Sequence, residues 1–306
     1  MNLFKTNPFT KRIQSKQREI QKKKRVVQQA HPTVQQSIKY TSQFEEGLMH
    51  IVGNEYSGMY KLGELDYEVA SEDDQLAIIL GYANGLNSIE KNGRYQLFVH
   101  NKPIQSSLLE KVLLPYQADE TDDYRQEINH LIEDHFRHDQ RTFEIDKYAV
   151  FSTTSNAKKQ AKRAIETMAK NFKTRFEDEE VSLSVEPLSG IKRLNVMARL
   201  LRPKEYFSSS YEDMAISGLS SKAFIAPSRL SFPNKQEYFC LGQYYAAVLY
   251  IRQYPKYLED VLIRELCNEG IELAISIHGR PYNMVDARKN IPAMQTLNNA
   301  DIKKQQ

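Results

Sequence analysis

Apolar residues along this chain switch repeatedly between a spacing near two and a spacing near 3.6. Tyr60–Val69 predicts a strand, with Leu62, Leu65, Tyr67 and Val69 turned to a core. Ser71-Glu72-Asp73-Asp74 reads as a helix start, because a serine caps the first turn and acids there suit the helix dipole. The helix then runs Gln75–Ile89, with Leu76, Ile79, Leu80, Ala83 and Leu86 expected on its buried face, and Asn92-Gly93 ends it. Tyr95, Leu97 and Val99 alternate as a second strand. Together these make one strand–helix–strand unit.

A second unit follows. Pro103–Asp123 reads as a loop or short helix, and Tyr124–His138 as a helix with Ile128, Leu131, Ile132 and His135 on one face. Thr142–Ser152 predicts a strand. Ser155 or Asn156 caps a long helix, Ala157–Phe176, with Ala161, Ile165, Met168 and Phe172 on its apolar face. Its charged face carries Lys158, Lys159, Lys162, Arg163 and Lys170. Val181, Leu183 and Val185 alternate as a strand, and Gly190–Leu201 is a helix stopped by Pro203.

The last region changes character. Ser217–Phe232 is punctuated by Ser and Pro and predicts short strands at most. Tyr238–Leu241 and Tyr244–Tyr250 predict an antiparallel hairpin turning near Gly242-Gln243. Tyr257–Cys267 reads as a helix, Ile271–Ile277 as a strand, and Pro281–Lys289 as the start of another helix. The fold class this implies is α+β. Its sheets are mostly antiparallel, with ferredoxin-like strand–helix–strand units and packing helices. The expected organisation is a basic, disordered or frayed arm over 1–45, an α+β domain over 46–205 and a hairpin-containing extension over 206–306.

Charge adds one fact. The net charge is +3, yet residues 1–30 hold nine Lys and Arg against Glu19 alone, so the rest of the chain is slightly acidic. Such an arm suits an anionic membrane surface or nucleic acid, with Lys22, Lys23, Lys24 and Arg25 as its densest cluster. A solvated tail is the other reading. The runs Leu76–Leu80 and Ala246–Ile251 are too short to span a bilayer and read as core. Cys240 and Cys267 form no C-x-x-C, which fits a reduced, cytoplasmic setting.

Catalytic signatures are sparse. Gly53 and Gly58 have the spacing of a phosphate-binding loop, but Met59-Tyr60 stand where it needs Lys and Ser/Thr. Glu127, His130, His135 and His138 share a helix, but that is half of a di-metal pattern, without a second copy. No G-x-S-x-G elbow occurs. The expectation is therefore no catalytic, cofactor or metal site in this chain. The aromatics Tyr238, Phe239, Tyr244 and Tyr245 are the candidate protein interface, since tyrosine is favoured in such patches. Half-buried core is the competing reading for them.

Three segments carry a resemblance. Leu65-Asp66-Tyr67-Glu68-Val69-Ala70-Ser71-Glu72-Asp73, Pro187-Leu188-Ser189-Gly190-Ile191-Lys192-Arg193-Leu194 and Gly218-Leu219-Ser220-Ser221-Lys222-Ala223-Phe224-Ile225-Ala226-Pro227 occur in that order. Arg202-Pro203 and the aromatic hairpin fit the same pattern. Over about residues 45–290 the chain resembles the N-terminal region of conjugal-transfer ATPases from Gram-positive mobile elements. These are type IV secretion motors of the VirB-four/TraE class. The resemblance implies an α+β region that docks a motor onto the membrane channel and neighbouring subunits. ATP and magnesium would belong to a motor domain whose Walker motifs this chain lacks. The expected function is a non-catalytic assembly and docking domain, peripheral to the inner face of the cell membrane. The expected partners are channel subunits, sister subunits and an anionic leaflet, with weak contact to DNA. The alternative is a nucleic-acid-binding protein of a mobile element, using the arm and the lysine-rich helix.

Overall fold

The computed structural model describes residues 33–65, 67, 69–104, 112–138, 143–176, 182–205, 207–233, 237–252, 262–282, 285 and 288. The chain divides into two compact units, 1–38 and 39–306. Of the first, the described part is a helical turn, Val34–Ser37, closed by a capping box from Thr33. The basic cluster Lys22–Arg25 lies outside the described residues.

The second unit is α+β. Among the described residues its main sheet has seven strands, all paired antiparallel. They are β1 (Ser42–Gln43), β2 (Met49–His50), β3 (Glu55–Leu62), β4 (Gly93–Pro103), β5 (Phe143–Thr154), β6 (Val185–Pro187) and β10 (Leu273–Gly279). Helix α1 (Glu72–Asn87) links β3 to β4, and α3 (Lys158–Lys173) links β5 to β6. In space β6 flanks β3, β3 flanks β5 and β5 flanks β4. This interleaving of two strand–helix–strand units is the ferredoxin-like arrangement the alternating pattern implies. β1 and β2 extend the sheet beside β3, and β10 extends it beside β4. The third sequence region thus supplies a strand to the main sheet. Tyr40 and Leu48, on either side of position 45, are both buried.

Strand alternation divides the core. Tyr60, Tyr95, Ala149 and Phe151 face α3, whose Ile165, Met168 and Phe172 are buried against them. Met59, Tyr148 and Val150 face the other way and join Leu188 and Val196, the latter on α4 (Gly190–Leu201). Ser189 caps α4 through the Lys192 amide. A helix α2 (Asp122–His138) lies in the β4–β5 connection.

Several expectations need correction. The first strand is Glu55–Leu62 rather than Tyr60–Val69, and Val69 is exposed. Position 58 is glycine because a Cβ there would stand 2.7 Å from Ile165 Cγ2. That residue breaks the hydrophobic alternation and hides the strand. Helix α1 exists with its Ser71 cap, but its faces are reversed. Leu76, Ile79, Leu80, Ala83 and Leu86 are exposed, whereas Ile78, Gly81 and Gly85 are buried. The two glycines let the backbone approach two rings. A Cβ would stand 2.9 Å from Phe176 Cδ1 at Gly81, and 2.8 Å from Phe172 Cδ2 at Gly85. Ser217–Phe232 holds two-residue β7 (Leu230–Ser231), but is mainly helical at its start. There α5 (Tyr211–Ser217) ends at Gly218 and α6 (Ser221–Ile225) follows. Helix α7, Leu262–Asn268, matches the described part of the predicted Tyr257–Cys267 helix, and the start of that prediction and most of the predicted Pro281–Lys289 helix lie outside the described residues.

Candidate docking surface

The second sheet is small. β8 (Phe239–Leu241) pairs with β7 on one side and with β9 (Tyr244–Ala246) on the other. Gly242 makes the turn in the left-handed region, at φ +59, where glycine carries no Cβ penalty. Its amide donates to Arg229 O at 2.7 Å, which ties the turn to the chain before β7. Leu241 is the buried anchor. Beside the turn lies a concavity of about 300 Å³ lined in part by Leu201, Arg202, Pro203, Pro227 and Tyr244.

The four predicted interface aromatics divide. Tyr238 and Tyr245 meet edge to face at 5.4 Å and are exposed, Tyr245 to 77%. Phe239 and Tyr244 are half-buried. Phe239 packs on the exposed Phe232 ring at 5.9 Å, and Lys204 Nζ stands 5.9 Å from the Tyr244 ring centre. The structure adds residues the pattern had assigned to core. Beyond β9 the strand stops, and Val248, Leu249 and Tyr250 are 80%, 90% and 82% exposed. Ile251 is exposed as well. An unbroken apolar run reads alike whether it is buried on both sides or left open, so spacing alone could not find this surface. The exposed stripe of α1 and the exposed Tyr124 and Leu131 of α2 are further apolar patches.

Other candidates are occupied by structure. On the basic face of α3, Lys158 Nζ sits 2.9 Å from Glu46 Oε1 and over the Phe44 ring, and Lys162 Nζ is 3.8 Å from Glu166. The Gly53–Gly58 spacing falls in a turn and a strand, not in a strand-to-helix loop. Among the described residues no group of three His, Cys, Asp or Glu could hold a metal ion. His130 and Glu127 are exposed, and the side chains of His135 and His138 lie outside the description. Asp146 is buried between Lys102 Nζ at 2.5 Å and Lys61 Nζ at 3.0 Å. Burial pushes its carboxyl up, but the two lysines together hold it below the usual range.

Two of the resembling segments, 187–194 and 218–227, are joints of the fold. Arg193, fully within the protein, donates to Gly47 O at 3.1 Å, Ser57 O at 2.7 Å and Ser57 Oγ at 2.7 Å. Burial lowers its guanidinium to about 10, so it stays charged at neutral pH. Gly190 leaves no space for a side chain beside Tyr211 Oη and Phe44 O. Ile225 is buried, and Ser221 Oγ lies 2.8 Å from Tyr40 Oη. Among the described residues no helix is long and apolar enough to cross a membrane. No family model matches the chain, and comparison with curated proteins finds no match.

Proposed function

We propose that this chain is a non-catalytic assembly and docking domain of a conjugative type IV secretion ATPase. The observation that carries the docking part is the concentration of exposed apolar residues on one hairpin and its continuation, Tyr238, Tyr245 and Val248–Ile251. Large contiguous apolar patches of this kind mark interaction sites rather than ordinary surface. The assignment to conjugative secretion rests on the three ordered segments that resemble that family. Channel subunits and sister subunits are the partners, and the basic arm supplies attachment to the anionic inner leaflet. ATP and magnesium would act only in a motor domain. The nucleic-acid alternative draws less support, because two lysines it would use, Lys158 and Lys162, are engaged by Glu46 and Glu166.

The test is affinity capture. The immobilised chain is exposed to detergent-solubilised membranes of donor cells carrying a conjugative element. Channel subunits should be retained by the native chain and lost with Tyr245→Asp/Leu249→Asp. Retention of nucleic acid alone, or ATP turnover by the pure chain, would contradict the proposal.

A further inference from the structure

We infer that β9 and the residues after it form the seam of a two-fold dimer, in which a second copy lays its own Tyr244–Ile251 antiparallel to the first. β9 is the edge of its sheet, so one side of its backbone is unpaired among the described residues. Residues 247–251 make no backbone hydrogen bond to the described residues. Tyr244–Ile251 contains no charge, glycine or proline and is rich in aromatic and branched residues. That is a strand-forming composition, and left open it is an aggregation hazard. A second strand removes the hazard by satisfying the edge.

The sequence favours a copy of itself as that strand. Perpendicular two-fold pairing of antiparallel strands places one residue opposite its own copy. With Val248 on the axis, Ala247 faces Leu249 of the other copy, Ala246 faces Tyr250, and Tyr245 faces Ile251. Each large side chain then meets a small or branched one, and aromatic–branched pairs are favourable across strands. Arg252 falls opposite Tyr244, which offers its ring to the cation. No like charges meet. The exposed aromatics of the seam, Tyr245 and Tyr250, can each contribute on the order of 150–250 Å². With Val248, Leu249 and Ile251 they approach the roughly 800 Å² per partner of a standard interface.

This pairing supplies the sister-subunit contact of the proposed docking function, and rests on that reading only for its biological use. The experiment is sedimentation velocity on the full chain. The native protein should sediment as a dimer at concentrations on the order of micromolar. Val248→Lys, at a site 80% exposed, should sediment as a monomer with an unchanged far-ultraviolet circular dichroism spectrum, because it sets like charges opposite each other at the axis. A second measurement uses Cys240→Ser as background. Val248→Cys should give a disulfide-linked dimer under mild oxidation, at least tenfold more than the off-axis Tyr250→Cys. A native chain that stays monomeric overturns the inference, as does a dimer that Val248→Lys leaves intact or equal cross-linking at both positions. A monomer whose vesicle binding is abolished by Val248→Lys would overturn it in favour of a bilayer contact. Channel capture by a monomeric chain would leave the docking reading standing without the dimer. A dimer that captures nothing would do the reverse.

Discussion

Arg193 shows how a single residue of a resembling segment earns its place in the fold. Its fork joins the β1–β2 turn to β3 through two carbonyls and a hydroxyl. Arg193→Ala strands these buried acceptors, so urea unfolding should show a loss of about 3 kcal/mol. Lysine cannot restore it, because one ammonium does not reproduce the planar fork. Asp146 gives a pH-dependent counterpart. Its folded pKa is depressed, so the stability it contributes is present above the ordinary carboxylate range and lost as pH falls through the folded value. Stability should therefore decline below about pH 4, and Asp146→Asn should flatten that decline while lowering stability at pH 7. Neither role was legible in the sequence. Both depend on residues brought together from distant parts of the chain.

At the scale of elements, α3 was the most legible part of the chain. Ala161, Ile165, Met168 and Phe172 recur at helical spacing, and all four are buried. Phe172 is the hub, with Phe151 and Tyr95 each at 5.7 Å and Phe176 at 5.4 Å between ring centres. Phe172→Ala should cost about 3–5 kcal/mol in a denaturant titration, as a large buried ring leaves a cavity. Helix α1 was legible in its existence and cap but not in its orientation. It is apolar nearly all round, so periodicity cannot choose between Leu76/Ile79/Leu80 and Ile78. The choice falls to Gly81 and Gly85, which admit the rings of Phe176 and Phe172. Strand β3 was misplaced for a related reason, since Gly58 interrupts the alternation to make room for Ile165. The α4 helix needed no such context: it spans Gly190–Leu201 as the spacing and Pro203 predict, and the structure adds the Ser189 cap. Of the candidate interface, sequence pointed to the aromatic hairpin, and Tyr238 and Tyr245 are exposed there. Val248–Ile251 escaped it because hydrophobicity alone does not say whether a run is covered.

At the scale of the molecule, the two interleaved strand–helix–strand units of the second unit make a frame with cores on both faces of the sheet. Apolar surface left open lies on the small sheet and its continuation, on α2 and on the outer face of α1. A frame that buries its own core and leaves hairpin residues open is suited to holding other proteins in position. The most direct measurement of that role is conjugative transfer frequency in donor cells that produce this chain alongside an intact conjugative element. On the proposed reading, the chain should compete for channel contacts and lower transfer. The Tyr245→Asp/Leu249→Asp variant, made at the same level, should restore it. Transfer unchanged by the native chain, or lowered equally by the variant, would contradict the account.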